Sequence, residues 1–349
     1  MIDCVFTIDY EIYGNGEGSL RDHVYEPARQ LVELFQKWDA RFVAFVEVAE
    51  LERIDECRTD DAIDEVKDQV HDFHRLGFEV ALHLHPQWYR ARYEGGQWLL
   101  DYSEYNLCTL PRERIESIVD RALDYFRTVL EEPDFVPLTF RAGNWLFQPT
   151  RTAAAVLAEK GIKVDSSVFK GGLQHQHALD YRPALRNGYF WRFEDDANTP
   201  DPDGLLLEVP TYTTMVPSWK MFTAKRVGLQ KKSRAITSTG KLTRLRDYLR
   251  PRYPLKFDFC RMTIDEMTSM IAKVIEEDRA NPEVYRPLVA IGHTKDLFDF
   301  ESVEQFLSYL RTNGIPIVTF PEVYEKCEKS VRAISPGESR INAAARSIA

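Results

Sequence analysis

The sequence predicts an α/β fold in which about seven parallel strands alternate with helices in one domain. Short apolar runs rich in β-branched and aromatic residues recur along the chain. Stretches with apolar residues at helical spacing separate these runs, as expected of β/α units. With 349 residues, 44% of them hydrophobic and 12% aromatic, the chain can bury a large core.

The strands are predicted at the apolar runs, and the helices are predicted at the amphipathic stretches between them. Pro111 occupies the first-turn position that proline favours in a helix, and Gly161 is placed to end another helix. In chain order, the predicted strands are 5–8, 42–48, 78–84, 135–140, 162–166, 189–193, 205–209, 288–291 and 316–320. The predicted helices are 27–38, 63–76, the helix that Pro111 opens, 150–160, 263–277 and 301–311.

The chain is predicted to form a single barrel domain over residues 1–325, with an insertion at about 195–258. Residues 326–349 are polar and weakly patterned, which predicts a C-terminal tail. No run approaches the roughly 20 apolar residues of a membrane helix, and the first residues do not resemble a signal peptide. We therefore expect a cytoplasmic protein without a transmembrane segment, whose five cysteines are reduced packing residues.

The charge of the chain is unevenly distributed. The net charge is −10, yet residues 220–256 hold twelve Lys and Arg and a single acid, Asp247. The rest of the chain is therefore strongly acidic, which argues against nucleic-acid binding because phosphate contacts need a broad positive surface. The basic segment 220–256 is predicted to be either a solvated lid or a peripheral contact for an anionic group, such as a sugar diphosphate or a lipid headgroup.

Two carboxylates follow the first predicted strand. Asp9 and Glu11 are two residues apart, so a strand turns both side chains to one face and Tyr10 to the other. Two acids in one pocket repel each other unless a cation lies between them. A strand-end turn with solvated acids is the alternative interpretation of this segment taken by itself.

A second pair, His83 and His85, ends the third predicted strand with the same spacing. Two imidazoles on one face of a strand can bind one metal ion, although hydrogen-bonded core histidines would show the same pattern. In a parallel barrel the C-terminal ends of the strands carry the catalytic groups. Together with the acids, the histidines therefore predict a metal site at this end.

Other polar residues end further strands, at positions where a barrel places substrate and catalytic groups. Arg141 can hold a carboxylate ionised, although a structural salt bridge is the alternative. His293 can serve as a general acid. The predicted substrate contacts are Glu47, Trp145, Asp165 and Ser167, although a packing tryptophan is an equal alternative for Trp145.

Five of these segments occur in the order of the motifs of the polysaccharide deacetylase superfamily, which the chain resembles from residue 1 to about 320. The resemblance implies a distorted parallel (β/α)7 barrel, a divalent metal held by one acid and two histidines, and hydrolysis of an N-acyl group on a sugar. The matching segments are Thr7-Ile8-Asp9, His85-Pro86, Phe140-Arg141-Ala142-Gly143-Asn144-Trp145, Val164-Asp165-Ser166-Ser167 and Ile291-Gly292-His293.

The metal motif departs from that of the family in two places. Tyr10 stands where the family has its second aspartate, and Glu11 is the natural substitute. The histidine that usually lies four positions before His85 is Ala81 here, and His83 takes its place. The chain is thus similar to a divergent branch with an Asp-x-Glu and His-x-His variant of the metal site.

The resemblance leads to a mechanistic hypothesis. Glu11, His83 and His85 hold a divalent metal, zinc being expected, with an open position for water. Asp9 acts as the general base on that water, although Asp9 and Glu11 can exchange roles. Arg141 keeps Asp9 ionised, and His293 protonates the leaving amine.

The expected substrate of a cytoplasmic enzyme of this kind is an acylated sugar, such as a nucleotide- or lipid-linked intermediate of surface polysaccharide synthesis. Two alternatives remain open. One is a catalytically inactive barrel that binds a glycan or a protein partner. The other is a metal-dependent deformylase or amidohydrolase that acts on another small molecule.

Overall fold

The computed structural model describes residues 1–221 and 250–333. Its centre is an eight-stranded sheet whose strands are numbered here in chain order. These strands are β1 (Ile2–Tyr10), β2 (Val43–Glu47), β3 (Glu79–Leu84), β4 (Thr139–Ala142), β5 (Val164–Asp165), β6 (Trp191–Phe193), β7 (Leu206–Glu208) and β8 (Arg286–His293).

The strand order is β6-β7-β5-β4-β3-β2-β1-β8, and every neighbouring pair is parallel except β6 with β7. The outer edge of β8 is covered by residues that belong to no strand of this sheet. The Tyr212 N–H donates to Val289 O at 2.9 Å, and the Phe259 N–H donates to Ile291 O at 3.0 Å. These contacts bring the chain after β7 against β8, so the predicted distorted α/β barrel is confirmed.

Eight α-helices of the described residues surround the sheet: α1 (Glu26–Lys37), α2 (Val48–Cys57), α3 (Ile63–Arg75), α4 (Arg112–Leu130), α5 (Arg151–Glu159), α6 (Ile264–Ala280), α7 (Phe300–Thr312) and α8 (Phe320–Ala333). All the predicted helices are present, and α2 and α8 are additional. No helix in the described part of the chain is long and apolar enough to cross a membrane.

The predicted strand 316–320 is wrong. Ile317 forms only an isolated parallel bridge with Cys4, and α8 begins at Phe320. Pro321 explains this result, because proline lacks the N–H that a strand would use and fits the first turn of a helix. The helix then continues past residue 325, since the side chains of Val323 and Cys327 are buried in the core.

Two predicted regions fall partly outside the described residues. Most of the basic segment 220–256 lies at 222–249, and most of the predicted tail 326–349 lies at 334–349, neither of which is described. Within the predicted insertion 195–258, Leu206–Glu208 is strand β7 of the central sheet, and Thr213–Pro217 forms an antiparallel pair with Arg252–Lys256. The division of the chain at residue 325 stays a prediction.

Apolar side chains fill the barrel on alternate strand positions. Val5, Val43, Phe45, Ala81 and Val289 belong to one buried cluster inside the barrel. Their neighbours along each strand, such as Phe6 and Ala44, belong to the larger cluster between the sheet and the helices. Closer to the C-terminal ends of the strands, the residues that point into the barrel are polar. The candidate functional residues therefore lie on the same side of each strand as these buried apolar residues.

Candidate active site

The inward row of β1 runs from Val5 through Thr7 to Asp9, and Glu11 follows directly after the strand. Tyr10 points the other way, where its hydroxyl donates to Gln69 Oε1 at 2.7 Å. The period of the strand thus separates Tyr10 from the two acids. This is the arrangement that the Asp-x-Glu spacing predicts.

Strand register aligns the candidate residues across the sheet. Asp9 on β1 is paired with His293 on β8. His83 on β3 is paired with Glu47 on β2 and with Arg141 on β4. Because paired residues of parallel strands point to the same side, these side chains converge at the C-terminal end of the barrel.

Asp9 lies between a guanidinium and an imidazole. Arg141 Nη1 donates to Asp9 Oδ1 at 2.6 Å, and His293 Nε2 is 3.3 Å from Asp9 Oδ2. Burial pushes the pKa of Asp9 upward, but Arg141, His83 and His293 together hold it below its usual value. Asp9 is therefore an ionised carboxylate inside the barrel.

Arg141 is fixed by partners on several elements. Its guanidinium also donates to Thr7 Oγ1 at 3.0 Å and to the Ser166 carbonyl at 3.1 Å, and it lies 3.8 Å from the centre of the Phe45 ring. The residue is only 1% exposed. A guanidinium held in this way orients Asp9 as well as neutralising it.

Glu11 makes separate contacts through its two oxygens. Oε2 faces the histidines, at 3.1 Å from His85 Nε2 and 3.5 Å from His83 Nε2. Oε1 accepts from Lys295 Nζ at 2.7 Å. Burial alone would raise the pKa of Glu11, but Lys295 and the hydrogen bonds to the two histidines hold it well below its usual value.

The histidines are oriented by neighbours on their other ring nitrogens. His83 Nδ1 lies 2.9 Å from the carbonyl oxygen of Arg141, which can only accept, so Nδ1 carries a proton. His83 Nε2 then has its lone pair toward Glu11 whenever the ring is neutral, as metal binding requires. His85 Nδ1 lies 3.1 Å from the side-chain amide of Asn144.

Glu47 is completely buried beside this group. Its Oε1 accepts from the Glu50 N–H at 3.3 Å, whereas its Oε2 is buried and has no hydrogen-bond partner. Burial raises the pKa of Glu47, an effect that His85 and His83 only partly oppose. A neighbouring cation would be needed to keep this carboxylate ionised at low energetic cost.

The donor set fits a divalent metal ion. Two ligands bonded at about 2.0–2.1 Å in a tetrahedral arrangement are about 3.4 Å apart, close to the contacts between Glu11 Oε2 and the two histidines. One donor atom each of Glu11, Glu47, His83 and His85 lie within 4.8 Å of one another. Imidazole and carboxylate ligands suit zinc and other first-row metals, so these residues do not distinguish one metal from another.

Some predicted substrate contacts have no free surface. Asp165 and Ser167 are both fully buried, and the Ser167 hydroxyl donates to Asp165 Oδ1 at 2.6 Å. The Ala142 N–H in turn donates to Ser167 Oγ at 2.8 Å. Asp165, Ser167 and Glu47 are thus buried, whereas Trp145 is half-buried at the strand ends, and the role of all four as substrate contacts stays a prediction.

Sequence reasoning did not assign Lys295 or Lys256 individually to the site. Lys295 contacts Glu11, and Lys256 Nζ lies 4.3 Å from the centre of the Trp145 ring and 5.0 Å from that of Phe169. Burial lowers the pKa of Lys256 to about 8, so most of it is still charged at neutral pH. Lys295 lies two residues after His293, which ends β8, and this position at a strand end was the available signal.

No protein-family model matches this sequence, and no curated protein matches it. Among solved structures, the chain is similar to a protein from Mycobacterium smegmatis assigned to the polysaccharide deacetylases. The two are 14% identical with a TM-score of 0.52, covering 97% of this chain and 94% of that chain. The chain has the fold of the polysaccharide deacetylases. The structural comparison therefore confirms, at the level of the fold, the resemblance seen in the motifs.

The polysaccharide deacetylase fold also occurs in an enzyme of another kind. A GH57 branching enzyme from the archaeon Thermococcus kodakaraensis is 10% identical to this chain with a TM-score of 0.54, covering 96% of this chain and 72% of that chain. Because one fold can serve different reactions, the polysaccharide deacetylase fold by itself does not fix the activity. The activity has to be argued from the side chains.

Proposed function

We propose that this protein is a metal-dependent hydrolase that removes an N-acyl group, acetyl in the first instance, from a sugar. The observation that carries the proposal is the convergence of Glu11, His83 and His85 beside the Asp9–Arg141 pair. This convergence supports a metal-binding role for the three donors beside an ionised carboxylate that can act as the base. A divalent ion bound there, zinc being expected, would lower the pKa of a water molecule and polarise the acyl carbonyl.

Asp9 and His293 carry out the proton transfers of the proposed reaction. Asp9 accepts a proton from the attacking water, and Arg141 holds the carboxylate in place. Burial lowers the pKa of His293, although Asp9 opposes this effect, so the resting imidazole is neutral at neutral pH. His293 therefore has to gain a proton before it can protonate the leaving nitrogen, and its 3.3 Å contact with Asp9 provides the donor.

The proposed substrate is an acylated sugar in a nucleotide- or lipid-linked form, as an intermediate of surface polysaccharide synthesis. Trp145 is half-buried at the strand ends, and its ring is the proposed platform for the sugar. Lys256 supports an anionic substrate, because its ammonium group lies against the same Trp145 ring. A phosphate attached to the sugar would be attracted to this charge.

The first test compares the wild type with the double change His83→Ala/His85→Ala. Elemental analysis is expected to find about one divalent ion per wild-type chain and none in the variant, because the variant loses both imidazole ligands. Retained circular dichroism would show that the variant is folded. A wild type that stays empty after incubation with zinc, cobalt, nickel or manganese contradicts the proposal.

A substrate panel then separates the remaining possibilities. Release of acetate from acetylated sugars by the wild type, and its absence in the variant, would support the proposed reaction. Release of formate alone would indicate a deformylase. Stoichiometric metal without turnover of any acylated sugar would favour a barrel that binds a glycan or a protein partner.

A further inference from the structure

Glu47 belongs to the interior of the metal centre by its position in the sheet. It ends β2 in register with His83 on β3, and it is 0% exposed. One of its oxygens is within 4.8 Å of donor atoms of His83, His85 and Glu11. Donors on opposite sides of one ion are about 4.2 Å apart at bond lengths of about 2.1 Å, which is comparable to this upper limit.

The carboxylate of Glu47 is oriented by the helix that follows it. Glu47 is the N-cap of α2, and its Oε1 accepts from the Glu50 N–H. This bond leaves Oε2 as a buried oxygen without a hydrogen-bond partner. An unpaired carboxylate oxygen in a buried site is costly unless a cation or a donor meets it.

Glu47 also differs from the other two acids in its charge partners. Asp9 is paired with Arg141, and Glu11 is paired with Lys295. No lysine or arginine of residues 1–221 and 250–333 forms an ion pair with Glu47 within 4.0 Å. The carboxylate of Glu47 therefore lacks the lysine or arginine partner that each of the other two acids has.

We propose that Glu47 is a metal ligand through Oε2, which gives a centre of two histidines and two glutamates. This inference rests on the proposed function only for the binding of a metal by Glu11, His83 and His85. Four protein ligands would saturate a tetrahedral ion and leave no place for water. The bound ion must therefore be five- or six-coordinate if the proposed hydrolysis occurs.

The test replaces Glu47 while preserving its shape, and it measures metal binding directly. Titration of Co²⁺ against a competing chelator is expected to show about 100-fold weaker binding by Glu47→Gln than by the wild type. The visible absorption of the Co²⁺ protein reports coordination number and should change in the same variant. Glu50→Gln is the matched control, because Glu50 is equally buried one turn away and already accepts from the Ile12 N–H.

The variant Glu47→Asp covers the case in which Glu47→Gln does not fold. It keeps the charge but withdraws the oxygen by one methylene, so we expect at least tenfold weaker binding. Wild-type affinity and an unchanged Co²⁺ spectrum in a folded Glu47 variant would overturn the inference and leave the proposed hydrolase intact. Weakened binding in a protein that cleaves no acylated sugar would support the inference and refute the proposed function.

Discussion

His83 is the residue at which metal binding and proton binding compete. Burial opposes the charged imidazole, but Asp9 and Glu11 outweigh burial and raise the pKa of His83 to about 9. At neutral pH the metal-free ring therefore carries an extra proton, and this proton occupies the nitrogen that would bind the metal. Glu11 remains ionised in the same range because its pKa is lowered.

We expect the metal affinity of the wild type to rise with pH for this reason. If the metal displaces one proton from His83, its affinity should increase about tenfold for each unit by which the pH rises toward the pKa of about 9. Above that pKa the affinity should become constant. Competition titrations from pH 6.5 to 8.5 would measure the slope. An affinity that is constant over this range would mean that His83 is already neutral or is not a ligand.

At the scale of elements, the ends of β3 and β4 approach each other unusually closely. A Cβ atom added to Gly143, directly after β4, would lie 2.5 Å from the Leu84 carbonyl oxygen and 2.7 Å from His85 Cγ. Any side chain at this position would push the two strand ends apart. Gly143 is therefore part of the positioning of His85.

The change Gly143→Ala should weaken metal binding by about tenfold or more, because the displaced His85 would leave its place beside Glu11. Gly14→Ala is the control, since an added Cβ there meets nothing within 4 Å. Isothermal titration of both variants with Zn²⁺ measures the effect. Equal affinities in the two variants would show that the ends of β3 and β4 can move apart without displacing His85.

The sequence predicted those elements whose patterns are local. Strand alternation placed Asp9 and Glu11 on one side of β1 and Tyr10 on the other, as observed. The helix α2 was not predicted because it starts directly after β2, where Glu47 acts as both strand end and N-cap. Its beginning therefore has no loop or turn residues to mark it.

At the scale of the whole molecule, the contacts that complete the site join distant parts of the chain. Lys295 and Glu11 are 284 positions apart, and Arg141 and Asp9 are 132 positions apart. Family motifs pointed to Arg141, but no local pattern pairs Lys295 with Glu11. The covering of the edge of β8 by residues 211–212 and 257–259 was equally unpredictable, because those residues form only isolated bridges.

The proposed ligands come from three neighbouring strands of the barrel. Glu11 follows β1, Glu47 ends β2, and His83 and His85 lie at the end of β3. An ion bound to all of them acts as a cross-link between these strands, so local opening would have to break metal bonds. Backbone amides of β1, β2 and β3 should then exchange with deuterium more slowly in the metal-loaded protein, while those of β6 and β7 change little. A uniform slowing over the whole sheet would instead mean that the ion stabilises the barrel as one unit.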